Sequence, residues 1–228
     1  MNRALRTWVV FVFALAARGQ GIHAGLKAGI PFTDYFETGT SGSRNGNAEY
    51  SAATRRYTFG ASVEWRFTNS LGIEVDGLYR RMGYVGIVNF TSSASGDIDN
   101  TSIDVKGNSW DFPVMVKYRF AERVVRPYVA GGGVLRYVGP VHGVGQQTIG
   151  SLVTRTSTTT PIDTSEPSEL RKRFYPGVTV GGGIEIGAGR FRVLPEFRYT
   201  HWTANIGGPG SLLRFAPNQA EFLLGFLL

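Results

Sequence analysis

From Ile22 onward the chain alternates between apolar positions and polar or small ones, and the pattern restarts eight times. In Ile22–Phe32, Ala24, Leu26, Ala28 and Ile30 share one face, opposite Gly25, Lys27 and Gly29. In Tyr57–Phe67, Tyr57, Phe59, Ala61, Val63, Trp65 and Phe67 oppose Thr58, Gly60, Ser62, Glu64 and Arg66. Leu71–Arg81 sets Leu71, Ile73, Val75 and Tyr79 against Glu74, Asp76 and Arg80. Trp110–Phe120 sets Trp110, Phe112, Val114, Val116, Tyr118 and Phe120 against Asp111, Lys117 and Arg119. Arg126–Tyr137, Phe174–Ile186, Phe191–Trp202 and Asn218–Leu228 complete the set. A period of two sustained over about ten residues predicts strands, not helices.

The links between these segments alternate in length. Residues 68–70, 121–125 and 187–190 make tight turns. Residues 33–56, 85–109, 138–173 and 203–217 make long loops rich in Ser, Thr, Gly, Asn and Asp. Short links at one end and long links at the other fit an up-and-down antiparallel meander. No second domain and no longer repeat interrupts it.

Three features decide which face points inward. Glycines gather on the polar face, at Gly25, Gly29, Gly60, Gly72, Gly132, Gly177, Gly181, Gly183 and Gly225, where a narrow lumen would crowd backbones and long side chains. Aromatic residues on the apolar face sit near segment ends, as two interfacial girdles would place them: Tyr57, Trp65, Phe67, Trp110, Tyr118, Phe120 and Tyr199, with Trp202 added at the outer rim. The polar-face charges come close to balance. Glu64, Glu74, Asp76, Asp111, Glu185, Glu196 and Glu221 stand against Lys27, Arg66, Arg80, Lys117, Arg119, Arg126, Arg136, Arg192 and Arg198. A closed lumen needs such pairing, because an uncompensated buried charge is strongly destabilising. The expectation is an all-β, eight-stranded antiparallel up-and-down transmembrane barrel with a lumen ion-pair network. Within it, Arg192, Glu196 and Arg198 are expected to pair with charges such as Glu185 and Glu221 on neighbouring strands. A tilted strand crosses the hydrocarbon layer in roughly 9–11 residues, which these segments supply.

Composition changes this picture little. Gly reaches 31 of 228 residues, about twice a typical share of roughly 7%, and Cys is absent, which removes disulfides and thiolate chemistry. Residues 1–19 open with Arg3 and Arg6, continue through a short apolar run and end in small residues, the layout of a signal peptide; residues 20–228 are then the barrel domain. Removing Arg3, Arg6 and Arg18 leaves 21 basic residues against 17 acidic, a net of +4 in place of +7. That surplus does not point to nucleic acid.

The leader, GLKAGIPF at 25–32, SWDFPVMVKYRF at 109–120, RPYVAGGGV at 126–134, VLPEFRYTHW at 193–202 and the closing NQAEFLLGFLL carry a resemblance. Over its mature length the chain resembles the small eight-stranded outer-membrane β-barrel proteins of Gram-negative bacteria, the OmpA-like or outer membrane protein beta-barrel domain superfamily. The resemblance implies export and insertion by the outer-membrane assembly machinery, which reads an amphipathic last strand usually ending in an aromatic residue. Phe222 and Phe226 keep that pattern, while Leu228 replaces the terminal aromatic. It also implies a setting of outer-membrane lipid and lipopolysaccharide, short turns and both termini in the periplasm, and four loops free to meet an extracellular partner.

The sequence offers little catalytic chemistry. His23, His142 and His201 are scattered and form no metal-ligand spacing. The GGG runs at 131–133 and 181–183 lie inside strands, not at the strand-to-helix turn that a phosphate loop requires. His201-x-Thr203-Ala204 partly matches the His-x-Ser-Asn motif of lipid A deacylases, but the nearest later acid, Glu221, falls on the lumen face. The expected function is a structural or surface-interaction barrel, not an enzyme, with no cofactor. A narrow ion or small-solute channel is the alternative, and a lipid A-modifying enzyme the remote one.

Overall fold

The structure is a computed structural model and describes residues 21–92, 94–120, 124–165, 173–188, 190–203 and 214–228. The leader expected over residues 1–19 lies outside them. Eight long strands appear in chain order: β1 Ile22–Pro31, β2 Thr58–Arg66, β3 Leu71–Thr91, β4 Asp97–Arg119, β5 Val125–Ser151, β6 Phe174–Ala188, β7 Phe191–Trp202 and β8 Asn218–Leu227. Each pairs antiparallel with the next, and β1 pairs with β8 through the register Gly25↔Leu227 to Pro31↔Glu221, so the ring closes. Closure leaves no sheet edge within the ring, which a lipid environment requires.

Alternation is visible in burial. Along β4 every second residue from Ser109 to Arg119 is buried and every intervening one is exposed. The exposed set is Trp110, Phe112, Val114, Val116 and Tyr118, an outer wall of large apolar side chains. At the short-turn end, Thr68 Oγ1 accepts hydrogen bonds from the Ser70 and Leu71 amides and closes the β2–β3 turn.

At the other end the structure departs from the sequence reading. Much of the expected loop sequence is strand. β3, β4 and β5 run for 21, 23 and 27 residues, about twice what the hydrocarbon layer needs. A hairpin of Gly39–Ser43 and Gly46–Ala52 adds to β3, and Thr156–Thr164 adds to β5. A six-stranded sheet therefore continues three barrel strands outward. Ser, Thr and Gly masked this in the sequence, because a solvent-exposed strand need not alternate cleanly with apolar residues. Where the extension begins, Gly107 and Ser109 of β4 face Val141 and Val138 of β5, so Asn108 opposes the Gly139–Pro140 pair. Such a bulge is one of the few places a sheet accepts proline.

Candidate functional site

Inside the ring, among the described residues, seven carboxylates meet seven cations. Glu64, Glu74, Asp76, Asp111, Glu185, Glu196 and Glu221 are buried, as are Lys27, Arg80, Lys117, Arg119, Arg136 and Arg198; Arg66 is nearly so. Three layers stack along the axis. In the middle, Lys27 Nζ donates to Glu74, to Glu196 at 3.0 Å and to Asp76 at 3.3 Å. Lys117 donates to Glu74, and Arg198 reaches Asp76 at 2.8 Å and Glu196 at 2.7 Å. Towards the short turns, Glu64 and Glu185 bind Arg66 and Arg119. Towards the long loops, Arg136 holds Asp111 through both carboxylate oxygens at 2.6 and 2.8 Å, while Arg80 bridges Asp111 and Glu221. Bidentate arginine contacts of this kind are strong and directional.

The pairings differ in part from those expected. Arg192 meets Glu185 at 3.3 Å. Arg198 stands opposite Glu221 in register, yet its side chain crosses the lumen to Asp76, and Glu221 takes Arg80. In a narrow barrel, facing strands are as near to a long side chain as adjacent ones. Register alone therefore does not choose partners.

Packing around these charges is close. A Cβ on Gly183 would lie 2.3 Å from the Pro195 carbonyl oxygen and 2.8 Å from Tyr128 Oη. Glycine there admits the Tyr128 ring, whose hydroxyl donates to Glu196 and whose face lies 4.4 Å from Lys117 Nζ.

Above the ion pairs the lumen turns apolar. Tyr35, Phe36, Met82, Tyr84, Val105, Val138, Val141, Tyr175 and Phe215 form one buried cluster. Phe36–Glu37 pairs with Arg214–Phe215 as a short two-stranded lid, bringing the first and last loops together over the mouth. The Arg136 guanidinium joins the two zones: it pairs with Asp111 below and lies 4.2 Å from the Tyr35 ring and 3.9 Å from the Trp202 ring. Burial pushes the Tyr35 phenol up to about 12, against the opposing pull of Arg136. It stays uncharged within the plug.

Trp202 is thus a correction. Its residue type suits the outer girdle, but it is buried in the lumen, on the same face of β7 as Arg198 and Thr200. Alternation from Tyr199 and His201 already required this. Trp65, Phe67, Trp110, Tyr118, Phe120 and Tyr199 are exposed on the outside, and Tyr57 is half-buried. The sequence reading missed the best-ordered part of the aromatic surface. Phe59, Tyr79, Trp110, Tyr137 and Phe174 are register partners across five consecutive strands. Aligning the segments by their turns would have revealed that row.

His201 and Thr203 do not assemble a nucleophile. His201 is exposed, with Nδ1 2.8 Å from Asn218 Oδ1, while the Thr203 hydroxyl donates to the Pro176 carbonyl at 3.0 Å. Glu221 is inside with Arg80. A hydroxyl nucleophile needs an oriented base beside it. Among the described residues no group of three or more His, Asp or Glu side chains is arranged to hold a metal ion.

The family model of the outer membrane protein beta-barrel domain matches residues 14–201. No curated protein matches the chain. Similar solved structures include Ail, the attachment invasion locus protein of Yersinia pestis, which is 12% identical, with 92% of this chain and 100% of that one covered and a TM-score of 0.38. The outer membrane protein OprG from Pseudomonas aeruginosa is 12% identical, with 90% and 92% covered and a TM-score of 0.43. The outer membrane protease OmpT from Escherichia coli is 11% identical, with 92% and 96% covered and a TM-score of 0.43. An eight-stranded closed ring, polar within and apolar without, and a family match over most of the sequence lead to one conclusion: this chain belongs to the outer membrane protein beta-barrel domain family.

Proposed function

We propose that this outer-membrane barrel is a non-enzymatic surface-interaction protein that meets its partner through the β-extension, with the short turns in the periplasm and the extension outside the cell. One observation carries the reading: the lumen buries ion pairs in the membrane zone and an apolar, largely aromatic cluster towards the outer mouth, while a six-stranded sheet projects beyond it. Eight strands give an interior just wide enough for side chains to fill. A narrow channel would need a path past Arg136 and the Tyr35–Phe36–Phe215 cluster, all of them buried, which disfavours the alternative. The separate hydrogen bonds of His201 and Thr203 disfavour the lipid-acting enzyme.

Planar-bilayer recording of the refolded, heat-modifiable protein tests the choice. Silent bilayers are expected. Discrete conductance steps that vanish when the protein is omitted would replace this reading with the channel. Mass spectrometry of lipid A from cells with and without the protein is expected to show the same species, and a lost acyl chain would restore the enzyme.

A further inference from the structure

Three turns end the extension side by side. One closes the hairpin at Ser43–Gly46, one joins β3 to β4, and one joins β5 to Thr156–Thr164. The Thr91 amide donates to the Asn45 carbonyl at 2.7 Å, and the Leu152 amide to the Gly96 carbonyl at 2.8 Å, so the turns form one rim. Ser151 stands roughly 45 Å along β5 from Tyr137 of the aromatic row, at the usual rise of a strand. On this rim, surrounded by water, Leu152 and Val153 are 61% and 76% exposed. Among the described large apolar residues Val153 is the most exposed, the lipid-facing wall included. Apolar surface in water is unfavourable, so an exposed apolar pair here calls for an occupant. The pair is held in place. The Val153 amide donates to the Ser151 hydroxyl at 3.3 Å, and its side chain packs on Gly96, where φ is 70° and a Cβ would lie 2.9 Å from Val153 Cγ2. Arg155 closes the same turn with a φ of 55°, a left-handed conformation that glycine or asparagine adopts more readily. Arg44 stands exposed at the other end of the rim, as Arg155 does at this one. Asp97, at the base of the middle turn, accepts the Ser95 hydroxyl.

From this arrangement we infer that the distal rim is a membrane-contact tip for a second, anionic bilayer. Leu152 and Val153 enter its acyl boundary, and Arg44 and Arg155 take headgroup phosphates on either side. Apolar side chains flanked by cations seat a segment in the headgroup layer, where guanidinium forks match phosphate oxygens in pairs. The shape favours lipid over protein. Two side chains on a convex turn fall far short of the ~800 Å² that each partner buries in a stable protein interface. A fluid bilayer asks for no matching surface. The inference rests on the surface-interaction reading and names the partner of the extension.

Flotation tests it. The full barrel is held in phosphatidylcholine nanodiscs and mixed with vesicles of phosphatidylcholine and phosphatidylserine. The parent is expected to float with the vesicles, and L152S/V153S to bind about tenfold more weakly or worse. R44Q/R155Q is expected to lose the preference for vesicles that contain phosphatidylserine over pure phosphatidylcholine. The substituted side chains are exposed, and retained heat-modifiability certifies that each variant folds. V144S removes a side chain 53% exposed on the outer side of the extension, away from the rim, and is expected to float as the parent does. No flotation of the parent, equal flotation of L152S/V153S, or the same loss in V144S overturns the tip. With planar bilayers silent, such a result leaves the surface-interaction reading standing. Conductance steps would remove that reading, and the tip with it.

Discussion

The membrane zone and the outer extension share three strands and bury opposite chemistry. Along β4, the outward side chains below the bulge are Trp110, Phe112, Val114 and Val116, and the inward ones are Asp111, Lys117 and Arg119. Above the bulge, Lys106 and Asp104 face outward as an exposed ion pair, and Val105 faces inward into the plug. The inward row continues as Tyr50, Gly86, Ile103, Gly145 and Ile162, in register across five strands of the extension. The change follows the solvent. Where oil surrounds the ring, apolar groups go out and charges must pair within. Where water surrounds the sheet, apolar groups go in because their transfer from water is favourable. Alternation therefore records a contrast between two faces, and the surroundings decide which face is buried.

Substitutions can break this contrast, and the largest effect belongs to the ionic zone. Glu74→Leu removes a carboxylate that Lys27, Lys117 and Arg198 all approach. It is expected to lower unfolding stability by about 3–5 kcal/mol, read from urea unfolding in detergent. A loss under about 1 kcal/mol would mean that the lumen is wet enough to screen its charges. Phe215→Ala tests the apolar zone. A loss of about 3 kcal/mol in the local stability of the plug is expected, read as faster amide exchange at Phe36 and Glu37, with a much smaller shift in the global urea midpoint. If the global midpoint falls as far as for Glu74→Leu, the two zones are one cooperative unit.

Gly183→Ala inserts a methyl group between the Pro195 carbonyl and Tyr128. An overpacking cost of about 1–3 kcal/mol is expected in the same urea assay. Lys106→Ala removes an ion pair of the same chemistry as those in the lumen, but from a setting where both side chains are about half exposed. Its cost is expected to stay below about 1 kcal/mol, and 1 M salt should abolish it. The smallest response is expected at Trp202. In bilayers of brominated lipid, the emission of Trp65 and Trp110 should be quenched while that of Trp202 is unchanged. Quenching of Trp202 would return it to the lipid-facing girdle.

Much of the barrel was legible because its signal is local. Parity within Trp110–Phe120 or Tyr57–Phe67 assigns every side chain to a face, and the glycines and charges of the inner face are read from the same alternation. The error at Trp202 came from setting composition above parity: tryptophan suits an interface, but its place after His201 put it inside. The extension was missed for a different reason. Segments such as Gly39–Ala52 and Thr156–Thr164 hold few large apolar residues, and their strand character comes from hydrogen bonding to β3 and β5.

The sequence by itself determined the strand count, the antiparallel order, the face of each membrane residue and the pool of charges sent inward, because each follows from a period of two and the position of turns. Tertiary structure alone decided which charges meet, that Arg198 bypasses Glu221 for Asp76, that Tyr35, Phe36 and Phe215 pack together at the outer mouth, and that four arginines approach Glu185. Those outcomes depend on strand stagger and on distances across a lumen a few side chains wide, where residues far apart in the chain become neighbours only once the ring has closed.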